Sequence, residues 1–89
     1  MKKKNLHTYI KNAVKEYLQW SKWYVMEIQN GPFGTHGVSD LIAIRNGRTV
    51  FIEIKSPKGK LSNHQLKFGE EIGAHGGKYV IVNKIEDLP

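Results

Sequence analysis

Eighty-nine residues with 14 Lys and Arg, 8 Asp and Glu and a formal net charge of +6 predict one small basic domain over residues 1–89. The absence of cysteine removes disulfides and thiolate zinc sites. No apolar run approaches the roughly 20 residues that span a bilayer, and Met1-Lys2-Lys3-Lys4 leads into no apolar stretch of signal-peptide kind. The expectation is a cytoplasmic protein (host cytoplasm, if viral) without a membrane partner.

The positive charge is uneven. Eleven basic and four acidic side chains fall before residue 61, and three and four after it. Clustered lysine in a basic domain is the electrostatic footprint of a nucleic-acid binder. Lys2, Lys3 and Lys4 form a basic tail, expected to be flexible over residues 1–5, that can track phosphates. From Leu6 to about Trp20 the apolar positions Leu6, Tyr9, Ile10, Ala13, Val14, Tyr17 and Leu18 have helical spacing. This stripe leaves Lys11, Lys15 and Lys22 toward solvent, with Asn5 as the better N-cap type. Trp23 to Ile28 is aromatic and β-branched enough for a strand. Residues 30–37 hold three glycines and a proline, which makes them a loop delivering the chain to Asp40.

Residues 38–55, VSDLIAIRNGRTVFIEIK, read as a hairpin turning at Asn46-Gly47. Both residues tolerate the positive φ that a type I′ turn demands. A two-residue loop pairs Arg45 with Arg48, Ile44 with Thr49, Ile42 with Phe51, and Asp40 with Glu53. Lys55, two residues beyond Glu53, shares their face. Like charges placed opposite each other destabilise a sheet, and two close carboxylates call for a shared proton or a divalent cation. That arrangement points to magnesium-assisted chemistry on phosphates. The hairpin is apolar on both faces, so it belongs in the middle of a sheet covered twice.

Ser56 to Lys60 is a basic turn at the mouth of this site, with Lys58 and Lys60 placed for phosphate contacts. Ser62 and Gln65 have capping-box spacing, and Leu61 and Leu66 staple spacing, at the start of a helix running to about Ala74. Phe68 and Ile72 face inward, and Gly76-Gly77 stops the helix. Lys78 to Val82 is a last strand, followed by a short turn at residues 85–88. The order is α-β-β-β-α-β.

Gly37-Val38-Ser39-Asp40, then Glu53-Ile54-Lys55 after a hairpin, resembles the signature of the PD-(D/E)xK nuclease superfamily. With Gly59-Lys60-Leu61-Ser62, Gln65, Phe68 and Gly76-Gly77, the run over roughly residues 6 to 87 is similar to the VRR-NUC domain, the virus-type replication-repair nuclease. The resemblance implies an α/β, restriction-endonuclease-like core with a mixed central sheet flanked by helices. It also implies a Mg²⁺- or Mn²⁺-dependent DNA endonuclease, with no small-molecule cofactor. Asp40, Glu53 and the Ile54 backbone carbonyl would hold the metal, Lys55 would position water or stabilise developing charge, and Gln65 matches the family's helix glutamine. The capping box explains Gln65 equally well. Where the family carries an early first-helix glutamate as a further ligand, this chain has His7; Glu16 is the other candidate, two turns on and solvated in this reading.

By the same resemblance the substrate is branched or structured DNA, of the kind a Holliday-junction resolvase cuts, the working form is a homodimer, and the role is virus-type DNA repair. The rival readings are a non-catalytic DNA-binding module and an accessory subunit of a larger nuclease complex.

Overall fold

In a computed structural model of the chain, which describes residues 6–28, 39–55 and 60–88, Asn46 and Gly47 take φ of 51° and 79°. These are the two positive values that a tight hairpin turn requires. The turn joins β2 (Leu41–Arg45) to β3 (Arg48–Ile54). Its register pairs Arg45 with Arg48, Ile44 with Thr49, Ile42 with Phe51 and Leu41 with Ile52, as the turn dictates. Around this hairpin lie α1 (Leu6–Trp20), β1 (Tyr24–Glu27), α2 (Asn63–Ala74), β4 (Lys78–Val82) and a 3₁₀ turn, Ile85–Asp87. The sheet order is β1-β2-β3-β4, antiparallel except for the parallel β3–β4 pair. A parallel neighbour needs a crossover, and α2 supplies it. The fold is therefore α/β with a four-stranded mixed sheet and two helices, in the order α-β-β-β-α-β.

Alternation along the strands gives the sheet two unlike faces. On one, Leu41, Ala43, Val50, Ile52, Ile54 and Val82 pack with Ile10, Val14 and Leu18 of α1 to form the core. The stripe of α1 is narrower than its spacing implies: Leu6, Tyr9 and Tyr17 are exposed. Two lysines expected in solvent are also displaced. Lys11 and Lys15 are half-buried, and their Nζ atoms close on the two carboxylate oxygens of Glu27 at 2.8 and 2.9 Å. The bridge forms because Glu27, at the end of β1, falls on the face that α1 covers. Lys22 is exposed as expected, at φ 70°, where the amide of Trp23 returns to the Leu18 carbonyl and turns the chain out of α1.

The opposite face is not covered as the two-sided apolar pattern of the hairpin implies. It carries Tyr24, Met26, Ile42, Ile44, Phe51 and Tyr79. Helix α2, which buries no residue fully, lies over only the β3–β4 side. Phe68 of α2 meets Phe51 and Tyr79 edge-on, with ring centroids 5.6 and 5.7 Å apart. Tyr24, Met26 and Ile44 are left exposed. The Asn5 cap, the 30–37 loop, Lys2, Lys3, Lys4 and Lys58 lie outside the described residues.

The Glu27 bridge has a pH signature. Hydrogen bonds from Lys11 and Lys15 hold its carboxyl down at about 2, against an ordinary value of 4.5. A depressed folded-state value contributes stability that is present above about pH 4.5 and is lost as pH falls toward 2. Glu27→Gln will flatten the stability profile across that window and lower stability at pH 7, as urea unfolding at stepped pH will show.

Candidate metal centre

Asp40 stands one residue beyond the last β2–β3 pair, and its backbone is pinned on both sides. Its amide donates to the Ile52 carbonyl at 3.0 Å, and its carbonyl accepts from Ile28 at 2.9 Å. The buried Ser39 fixes the preceding turn through its hydroxyl, which donates to the Leu41 carbonyl at 3.0 Å. Because Asp40 has left the ladder, the Ile54 amide donates to its side chain instead, reaching Oδ2 at 2.8 Å. His7, in the first turn of α1, brings Nε2 to 3.2 Å from the same oxygen.

Glu53 is 2 % exposed, between the core residues Ile52 and Ile54 but on the other face of β3. Gln65 Nε2 donates to its Oε2 at 2.9 Å, and the Tyr79 hydroxyl reaches its Oε1 at 3.5 Å. Lys55 Nζ lies 4.0 Å from Oε2. The Lys55 backbone is tied to the end of β4: its amide donates to the Val82 carbonyl, and its carbonyl accepts from Asn83 Nδ2, each at 3.0 Å.

Gln65 serves two structures at once. Its Oε1 accepts from the Ser62 amide at 2.8 Å, its own amide donates to Ser62 Oγ at 3.2 Å, and Nε2 remains for Glu53. The cap and the site are therefore one construction, and the two readings of Gln65 are compatible. Tyr79 is a site residue that sequence reasoning missed. It stands two residues back along β4 from the position opposite Glu53, since Phe51 pairs with Tyr79 and Glu53 with Ile81. It is held there because α2 passes directly over its ring at Gly69, where a Cβ would come within 2.9 Å of the ring.

Electrostatically the site is strained toward a cation. Burial first, then the neighbouring Asp40 charge, push the Glu53 carboxyl up to about 8, with Lys55 and Tyr79 opposing. Burial and Glu53 also push the Tyr79 phenol upward. His7, Asp40 and Glu53 each present one ligand atom, all within 4.8 Å of one another. Two carboxylate oxygens and an imidazole nitrogen that close, with carboxylates too crowded to ionise together, suit a divalent cation. Glu16 is exposed on α1 beside Gln19, Trp20 and Lys22, away from this cluster. Lys60 is exposed just before α2.

The comparisons with known proteins bear on the fold and the family. No curated protein sequence matches the chain significantly. Among solved structures, a protein described as a VRR-NUC domain matches with a TM-score of 0.80 and 20 % identity, over 93 % of this chain and 89 % of that one. At that identity the match shows the fold. The family model for the VRR-NUC domain matches residues 4–84, nearly the whole chain. The chain thus belongs to the VRR-NUC family of nuclease domains.

Proposed function

We propose that the protein is a Mg²⁺- or Mn²⁺-dependent endodeoxyribonuclease that hydrolyses phosphodiesters at the His7–Asp40–Glu53 cluster. The observation that carries this reading is the convergence of three ligand atoms within 4.8 Å, with the Lys55 ammonium 4.0 Å from Glu53. Asp40, Glu53, the Ile54 carbonyl and His7 would hold the cation. When bound, it would polarise the scissile phosphate and lower the pKa of a coordinated water.

The chain's own residues have separate tasks. Asp40 is oriented by the Ile54 amide, so its second oxygen is directed rather than free to rotate. Gln65 and Tyr79 orient Glu53 in the same way. Lys55, with its backbone locked to β4, places a positive charge where negative charge develops on the attacked phosphate. Lys60, Lys58 and the Lys2–Lys4 tail supply phosphate contacts that position DNA without reading its sequence.

Branched or structured DNA is the proposed substrate, and a homodimer the proposed working form. A dimer would offer two sites for two strands and would cover some of the apolar surface that α1 and the open sheet face expose. Sedimentation equilibrium of the purified protein tests the dimer.

With Mn²⁺ or Mg²⁺ the protein will cut at least one of plasmid, single-stranded, forked or four-way-junction DNA, and EDTA will abolish cutting. Asp40→Ala and Glu53→Ala will abolish it as well; wild-type levels of cutting by either variant refute the assignment. Lys55→Ala will lower the cutting rate by about 10²-fold or more and leave DNA affinity nearly intact in a gel-shift titration.

Ser62→Ala and Gln65→Ala separate the two tasks of the helix start. Ser62→Ala will cost about 1 kcal/mol of stability and leave the Mn²⁺ affinity of the protein unchanged by calorimetry. Gln65→Ala will cost a similar amount and also weaken Mn²⁺ binding, because Glu53 loses the amide that orients it.

A further inference from the structure

Resting on the nuclease reading above, we infer that the cleft at the turn end of the hairpin, built by Arg45, Arg48 and Lys78 beside Trp23, is a second DNA-backbone site that anchors substrate away from the point of cutting.

The two arginines are directly paired across β2 and β3, an arrangement that costs stability because like charges oppose each other. Both are exposed, and neither has a carboxylate partner among the described residues. Lys78 opens β4 beside Val50 and brings a third cation to the same end of the sheet. Together with His75 they line a cleft of about 740 Å³ that contains no carboxylate. Among the described residues no carboxylate compensates this charge, which leaves it available to an external anion.

Three features favour a nucleic-acid backbone over an isolated anion. Arginine presents a planar fork that matches phosphate oxygens, and two of them side by side can engage successive phosphates. Trp23, half-buried against the core, also lines the cleft, which puts an aromatic side chain beside the arginines where bases can stack. The cleft also sits at a fixed distance from the metal centre: Arg48 begins β3, and Glu53 lies five residues along it. At about 3.3 Å per residue the two lie roughly 17 Å apart along the strand, and by alternation on opposite faces of the sheet, so a strand held at both passes across the sheet between the anchor and the cut.

The test is fluorescence anisotropy with a labelled junction or forked DNA at stepped salt, using wild type, Arg45→Ala/Arg48→Ala, Arg45→Lys/Arg48→Lys and Lys78→Ala. The double alanine variant is expected to bind at least 10-fold more weakly. Its plot of log affinity against log salt will be shallower by about two, since each released phosphate contact contributes about 0.9. The lysine pair will recover most of the affinity, and Lys78→Ala will weaken binding by a smaller factor. At sub-saturating DNA with Mn²⁺ the double alanine variant will cut more slowly by about the factor its affinity falls, and its thermal midpoint will hold or rise because the opposed charges are gone. Unchanged affinity and slope in a variant of wild-type stability overturn the anchor while leaving the metal centre intact. Loss of binding to phosphatidylserine vesicles with DNA binding unchanged overturns it in favour of a membrane contact. If the wild type neither binds nor cuts DNA, the nuclease reading fails and the anchor falls with it.

Discussion

The structure is organised around two carboxylates that would avoid each other in water. Glu53 is almost fully buried, and Asp40 is pinned within reach of it. Both are held by neighbours on the chain: Asp40 through Oδ2 by the Ile54 amide and His7, Glu53 through Oε2 by Gln65 and through Oε1 by the Tyr79 hydroxyl. Lys55 and Tyr79 offset part of the repulsion, yet Glu53 is still driven up to about 8. Every element contributes a group to this problem or a support for one: α1 gives His7, β3 gives Glu53 and Lys55, α2 gives Gln65, and β4 gives Tyr79.

The hairpin gathers like charges at both ends. Just beyond the last pair at the open end Asp40 comes close to Glu53, and at the turn end Arg45 pairs with Arg48. Neither arrangement helps the sheet form, since opposed like charges work against it. The apolar pairs between them, Leu41 with Ile52 and Ala43 with Val50, bear the cost through the core they share with α1. One face of the sheet is thus given to stability. The other, thinly covered by α2, carries Glu53 and Tyr79.

Much of this was legible because its signals are local. Asn46-Gly47 fixes φ and therefore register, and register places Glu53 near Asp40 by counting alone. Ser62 and Gln65 announce a helix start by their spacing. Asp40 itself departs from simple counting: it leaves the ladder, and its side chain takes the Ile54 amide, a detail set by the buried Ser39 and by β1 rather than by the turn. Tyr79 was not legible, because its role depends on the offset of a parallel strand and on the approach of α2 at Gly69. The Lys11–Glu27–Lys15 bridge was hidden for a similar reason. Helical periodicity alone puts those lysines in solvent, and only the packing of α1 over the end of β1 gives them a shared carboxylate. Sequence periodicity also overstated both coverages, that of the α1 stripe and that of the second sheet face, because it reports where apolar side chains lie and not whether anything covers them.

The core also guards the chemistry. Slipping β3 by one residue would send Glu53 into the face packed against α1 and expose Val50, Ile52 and Ile54. Burying each such side chain is worth about 1.5–3 kcal/mol, so the slip forfeits several kcal/mol. Relieving an opposed like-charge pair returns at most about 1 kcal/mol. The apolar term wins, and the carboxylates stay together although their own interaction opposes it. A site that is locally unfavourable is thus held in register by residues that never touch it, which is why its geometry follows from a turn seven residues away and a helix on the far side of the sheet.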